Sequence, residues 1–388
     1  MDKMEIYLDN SATTPLCVAA KKKMTEAMEF YGNPSSLHNE GFRAQKLVDE
    51  ARKNILTAIG SKGNGELVFT SCGTEATSLA LFGSAFAKER REATRILTSD
   101  SEHPSVEEAM KKLETFGFEV IRIPTLRGVL DLDAVEAALD KKIFLASFMM
   151  VNNETGAAYN VSKAFSLIKS RYPSAITHCD AVQGFMKIKF SPTQIKADLV
   201  TVSGHKLHAP KGVGALYISN EIIKAKKIVP FLLGGGQERG MRSGTENVIG
   251  IAAFGAAVAD SYSRLDKVIA HMDTLLDYAK EKLGRLEVKL NVPEGVSAPH
   301  ILNLTLPNIK SETMLHYLSK DGIYVSSGSA CSSHSHTPSR ALTAFGLDSK
   351  SADCSLRISF SEYNTMEEID MLAARLEEGI NTLVKIRR

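Results

Sequence analysis

From Leu67 to Ile218 short apolar runs alternate with stretches of helical periodicity. The runs Leu67–Phe69, Ile96–Leu97, Val120–Ile123, Ile143–Val151, Ala175–Cys179, Leu199–Val202 and Gly214–Ile218 predict strands. Between them, Glu75–Lys88, Pro104–Phe116, Asp131–Leu139 and Ser162–Arg171 read as helices. Strands alternating with helices predict an α/β sheet covered on both faces. Beyond Asn247 the pattern changes. A long helical stretch runs to about Leu286, followed by strands near Ile301–Leu306 and Leu356–Phe360 and helices at Glu312–Ser319 and Met366–Ile386. This predicts a smaller α+β domain joined to the first by one long helix.

Composition narrows the setting. The 388 residues are 44% hydrophobic and 24% charged, an ordinary globular balance. A net charge of +2 gives no global field for nucleic acid or acidic membranes. Lys21–Lys23 and Lys224–Lys227 read as solvated helix faces. The charged start Met1–Glu5 lacks the apolar core of a signal peptide, and Ile143–Val151 is too short to span a bilayer. Five cysteines at irregular spacing, with no CxxC pair, predict neither a disulfide framework nor structural zinc, and point to a cytoplasmic protein.

Several segments carry candidate chemistry. Ser203-Gly204-His205-Lys206 follows a buried strand, and strand exits in α/β sheets are where ligands bind. A desolvated lysine there is a nucleophile toward carbonyls; the alternative is a basic surface turn. Asp180 ends the strand Ala175–Cys179 and needs a cation, such as a protonated pyridine nitrogen, unless it caps a turn. Thr70-Ser71-Cys72-Gly73-Thr74-Glu75 joins a strand to a helix start and offers backbone N–H groups to a phosphate. It matches neither a Walker A loop nor a dinucleotide fingerprint. His103 lies at another strand exit, where it could stack on a flat ring, move protons or serve structure alone. Cys331 lies in a small-residue loop from Ser326 to His336, fit for a nucleophile, an inert loop or, less well, a metal ligand. Arg357 alternates with Leu356, Ile358 and Phe360, and that parity turns it outward; turned inward, it would suit a carboxylate.

In order and spacing these segments resemble the cysteine desulfurases of the class V aminotransferase group, over almost the whole chain. The likeness begins at Tyr7–Pro15 and Asn33–His38 and continues through Val151–Gly156, Asp180–Gln183, Gly235–Glu238 and Arg242–Asn247. It implies a pyridoxal 5'-phosphate enzyme of fold type I, like aspartate aminotransferase. Residues 13–255 would form the large cofactor-binding domain, with 1–12 and 256–388 forming the small one. The implied reaction takes sulfur from L-cysteine and leaves L-alanine, with Cys331 holding the sulfur as a persulfide.

The resemblance also implies residue roles. Lys206 would attach the cofactor, His103 stack on its ring and help proton transfer, Asp180 pair with its ring nitrogen and Gln183 bond its hydroxyl. Gly73, Thr74, Ser203 and His205 would hold the phosphate, and Thr245 would reach it across a homodimer interface. Asn153, also a cofactor contact, and Arg357 would bind the substrate carboxylate. No metal is implied. The sulfur would pass to an acceptor protein, for iron–sulfur assembly or thio-modification. Two residues depart from the family pattern: Cys72 stands where Gly is usual, and Thr77 where Asn is common. The loop around Cys331 resembles that of the group whose cysteine travels to partners, while the tail some relatives use to grip a scaffold is expected to be short. A selenocysteine lyase or aminotransferase would not need Cys331, and a non-catalytic binding protein would not need Lys206.

Overall fold

A computed structural model of the chain describes residues 5–87, 93–327 and 339–383. Seven strands form the main sheet: β1 Gly65–Thr70, β2 Arg95–Ser99, β3 Glu119–Ile123, β4 Ile143–Met149, β5 Ile176–Asp180, β6 Leu199–Ser203 and β7 Gly214–Ser219. Their lateral order is β1-β7-β6-β5-β4-β2-β3. Neighbours from β6 to β3 run parallel, whereas β7 runs antiparallel to both β1 and β6. Every residue of β2, β4, β5 and β6 is buried, as a sheet covered on both faces requires.

Among the described residues, nine helices of nine residues or more and the shorter Leu132–Ala137 pack around this sheet and the smaller one. They are α1 Val18–Met28, α2 Asn39–Ala58, α3 Gly73–Ala85, α4 Pro104–Thr115, α5 Leu132–Ala137, α6 Val161–Arg171, α7 Val248–Tyr262, α8 Leu265–Leu283, α9 Ser311–Ser319 and α10 Met366–Thr382. On one face of the main sheet, Val48 and Ile55 of α2, Phe165 of α6 and Phe254 of α7 share a core with Phe148 and Val200. On the other, Leu79 of α3 and Met110 of α4 pack against Ile96, Leu145 and Leu216. The helical stretch after Asn247 is two helices, not one: Ser263 and Arg264 break it between α7 and α8.

The second sheet is antiparallel, in the order β8-β9-β11-β10: β8 Lys289–Leu290, β9 Ile301–Thr305, β10 Ser326–Ser327 and β11 Ser355–Ser359. Its core joins Leu302, Leu356 and Ile358 to α8, α9 and α10, and also takes in Ile6 and Leu8. The N-terminal strand thus belongs to this layer, and Asp9 bridges Ser359. Residues 11–17 then cross to the main sheet, where Thr14 binds the backbone of His205 and Cys17 that of His208. Among the described residues no helix is long and apolar enough to cross a membrane.

Candidate active site

The carboxyl ends of the parallel strands open onto a cavity of about 290 Å³. Sequence order reverses beside β4, so loops after β4, β5 and β6 converge there, as doubly wound sheets arrange. Gly73, Thr74, His103, Asn153, Asp180, Gln183, Ser203, His205, Lys206 and Arg357 all line it. The sequence placed these ten residues in one site, and the fold brings them together.

Lys206 ends a single 3-10 turn that follows β6 directly. Its Nζ donates to the carbonyls of Ser11 at 2.5 Å and Ala12 at 2.8 Å. Gln183 Nε2 donates to the same Ser11 carbonyl at 2.9 Å. The turn itself is held from the N-terminal crossing, because Thr14 gives its N–H at 2.9 Å and its hydroxyl at 3.0 Å to His205 O.

Asp180 is the last residue of β5 and is buried. Its Oδ1 accepts the Val182 N–H at 3.0 Å. Burial pushes its pKa up to about 6, against the pull of that bond and of the Lys206 charge. A cation beside it would return it to the carboxylate form. Beneath it, Glu102 is buried too. Its Oε1 accepts from Ser99 Oγ at 2.6 Å and Met149 N at 2.9 Å, while Oε2 has no partner among the described residues. Burial pushes this carboxyl up to about 8, so it is neutral at pH 7. Glu102 escaped the sequence reading, although its place beside His103 at a strand exit was the available signal.

His103 caps α4, with Pro104 at the first helical position. Its Nδ1 accepts the Ser105 N–H at 3.1 Å and pairs with Ser105 Oγ at 2.8 Å. That assigns the proton to Nε2. Burial, then the Lys206 charge, lowers its pKa to about 4, so the ring is neutral.

At the other end of the cavity, α3 begins at Gly73 with no side chain capping its free N–H groups. Gly214 lets this loop lie across β7, since a Cβ there would fall 2.5 Å from the Cys72 carbonyl carbon. A Cβ at Gly73 would meet Val182 Cγ2 at 3.1 Å and Ser203 Cβ at 3.3 Å. The buried Ser203 Oγ has no partner among the described residues. An orphan hydroxyl beside uncapped helix N–H groups suits an anionic phosphate. Asp180, short of a cation, suits a protonated ring nitrogen across the same cavity. These residues therefore fit pyridoxal 5'-phosphate.

Arg357 corrects its parity reading. It is buried and lines the cavity, because β11 packs β9 and β10 on its edges and has no solvent face. Its Nη1 donates to Asn153 O at 2.9 Å and its Nη2 to Asp9 Oδ1 at 2.8 Å. Asn153 is presented by Asn152, whose Oδ1 accepts from Glu154 N, Thr155 N and Thr155 Oγ1.

Other candidates sit elsewhere. Thr245 is exposed and does not line this cavity. Its segment is tied back by Arg242 Nε, which donates to Glu75 Oε1 at 2.8 Å. Cys331, with most of its loop, lies outside the described residues. Of the two departures, Cys72 lines the cavity, whereas Thr77 is buried one layer below, 3.5 Å from Thr201 Oγ1. Among the described residues Cys17, Cys72, Cys179 and Cys354 are free thiols.

Known proteins resemble this chain in sequence and fold. The Aminotransferase class-V family profile matches residues 6–372. A cysteine desulfurase IscS of Dictyoglomus turgidum is 39% identical, over 98% of this chain and 96% of its own. A cysteine desulfurase IscS of Klebsiella pneumoniae is 37% identical, over 98% of this chain and 94% of its own. Among solved structures, a NifS-like protein superposes with a TM-score of 0.90 at 36% identity, covering 98% of this chain and all of that one. A structure described as SspA in complex with cysteine gives 0.79 at 29% identity, covering 93% of this chain and all of that one. The chain belongs to the class-V aminotransferase family.

Proposed function

We propose that this protein is a pyridoxal 5'-phosphate-dependent cysteine desulfurase, which converts L-cysteine to L-alanine and passes the sulfur to a thiol of its own. The observation that carries the reading is one cavity holding Lys206 Nζ, the buried Asp180 and the neutral His103, with Arg357 at its edge. Its relatives named cysteine desulfurase favour cysteine over selenocysteine or a transamination substrate.

The cofactor, when bound, withdraws the electron pair left on the substrate α-carbon. The chain does the rest. Gly73, Thr74, Ser203 and His205 would hold the phosphate, and Asp180 would keep the ring nitrogen protonated. Gln183 would bond the ring hydroxyl, and Asn153 would be a further cofactor contact. Lys206 would attach the cofactor, then take and return the α-proton at Nζ. His103 would stack on the ring and help proton transfer from Nε2. Arg357, with Asn153, orients the substrate carboxylate. Cys331 attacks the substrate sulfur as a thiolate: a sulfur–sulfur bond forms, the carbon–sulfur bond breaks with its electron pair left to the β-carbon, that carbon takes a proton, and alanine leaves.

Residues 13–255 form the cofactor-holding unit in this reading, with 1–12 and 256–388 closing the substrate side. A homodimer places Thr245 at the partner's phosphate, and the exposed Tyr31, Leu37 and Leu233 offer apolar surface for that contact. The sulfur leaves for an acceptor protein. The test is an assay of cofactor-loaded protein with L-cysteine and a reductant, following alanine and sulfide in wild type and Cys331→Ser. Equal production of both, lost in the variant, supports the reading; a variant that still makes sulfide at the wild-type rate sinks the role of Cys331.

A further inference from the structure

Lys187 is a buried cation that the reaction above does not use. It lies in the turn after β5, four residues beyond Gln183, and is 7% exposed. Its Nζ donates to the main-chain carbonyl of Lys206 at 2.8 Å. Among the described residues no carboxylate forms an ion pair with it. Glu362 acts on it only from a distance and is itself paired with Arg264. The residue before it, Met186, has φ +62°, a left-handed conformation that side chains other than glycine disfavour. The chain thus accepts backbone strain and a desolvated charge at adjacent positions, and both serve to bring one ammonium against one carbonyl.

That carbonyl belongs to the turn that presents the reactive lysine. The preceding carbonyl, His205 O, is already held by the N–H and hydroxyl of Thr14, both neutral donors. A neutral donor would therefore have sufficed for Lys206 O as well. An ammonium does something more, because its charge acts through the poorly screened interior on the group at the end of the same residue. We propose that Lys187 is a positioning residue for Lys206: its ammonium pins the peptide carrying the reactive lysine and sets a positive potential behind it. This inference rests on the cofactor reading of the site.

The sign of the effect follows from the groups around Lys206. Asp180 faces it with negative charge when ionised. His103, His205 and His300 all feel its charge, and their own pKa values are held low. Arg357 and Lys187 add positive charge near His300, Lys211 adds it near His205, and Glu362 opposes it near Lys187. Lys187 itself, pushed down to about 8 by burial, is still charged at pH 7. Removing a cation from this set favours protonation of the nitrogen joining Lys206 to the cofactor.

The experiment titrates the visible absorption of the loaded protein against pH, without substrate, in wild type, Lys187→Met and Lys187→Gln. Reductive trapping followed by peptide mapping first establishes that the cofactor is attached to Lys206. Lys187→Gln keeps a donor for the carbonyl and loses the charge, so it guards against a Met variant that does not fold. Both variants are expected to raise the midpoint of the absorption change by about half a pH unit or more. The Met variant should also release cofactor faster than the Gln variant. A midpoint that stays at the wild-type value in Lys187→Gln overturns the inference, even if thermal stability falls. Wild-type protein that traps no cofactor on Lys206 overturns the functional reading instead, so the two failures are distinguishable.

Discussion

Arg357 and Asp9 form an ion pair in the wall of the cavity, with Nη2 2.8 Å from Oδ1, and it joins the N-terminal segment to the last strand of the small sheet. Asp9 also forms a backbone bridge with Ser359, which holds its main chain against β11. Among the described residues the guanidinium has no partner for Nε, and its Nη1 donates to Asn153 O. The pair thus orients the fork that receives the substrate carboxylate in the proposed function. Asp9→Asn should keep the contact and lose the charge. We expect KM for cysteine to rise about tenfold with little change in kcat, as loss of ground-state orientation does. Arg357→Lys should lower kcat/KM about a hundredfold, since one ammonium cannot form the bidentate contact. Steady-state kinetics on both variants checks this; an unchanged KM in Asp9→Asn would remove Asp9 from substrate orientation.

Asp180→Asn should uncouple cofactor binding from cofactor use. Burial raises this carboxyl to about 6, and a protonated ring nitrogen beside it would hold it as a carboxylate. An amide of the same shape cannot hold that proton. The variant should still attach cofactor to Lys206, with an altered visible spectrum, and form alanine at least about a hundredfold more slowly. Absorbance and alanine release, measured on the same sample, separate the two effects.

Most of this site was legible because its chemistry sits at strand exits, and strand exits can be read from apolar runs. Ile143–Val151 and Ala175–Cys179 ended within two residues of β4 and β5, which put Asp180 at a strand end as expected. Lys206 and His103 were found in the same way. Parity alone turned Arg357 outward because it assumes one wet face, and β11 has none, whereas the family resemblance put it in the site. The break at Ser263–Arg264 was invisible because neither residue ends a helix by itself; the chain there turns to change layers. Glu102 and Lys187 were missed for a shared reason. Each is a charged residue made special by burial, and burial depends on strands and turns distant in sequence.

His178 predicts how acid destabilises the protein without cofactor. It is buried in β5 between Ser147 Oγ at 2.8 Å and Thr201 Oγ1 at 2.9 Å, and burial lowers its pKa to about 3. An unfolded histidine titrates near ~6.5. The unfolded state therefore binds the proton first, and stability present above that pH is lost as pH falls toward about 3. Between pH 7 and pH 5 this one group should remove about 2 kcal/mol. His178→Gln should start less stable by about 1–2 kcal/mol, having disturbed two hydrogen bonds. It should then lose about 2 kcal/mol less than wild type over that interval. Urea unfolding at the two pH values tests this; parallel losses would show that His178 does not carry the acid sensitivity.

Glu102 predicts the opposite dependence. Its carboxyl is raised to about 8, so the folded state keeps a proton that the unfolded state releases above about 4.5. The fold is thus penalised progressively as pH rises from about 4.5 to about 8, and fully above that. Glu102→Gln has nearly the same shape as the protonated acid and cannot ionise. Its oxygen can still accept the Met149 N–H and the Ser99 hydroxyl. The variant should match wild type near pH 4.5 and become the more stable of the two as pH rises to 9. Glu102→Ala should instead be destabilised at every pH by about 1–3 kcal/mol, because the buried Met149 N–H loses its acceptor. Thermal melts of the three proteins across that range decide the matter. A Gln variant that tracks wild type at every pH would mean that Glu102 ionises normally, with a cation or water reaching its orphan oxygen.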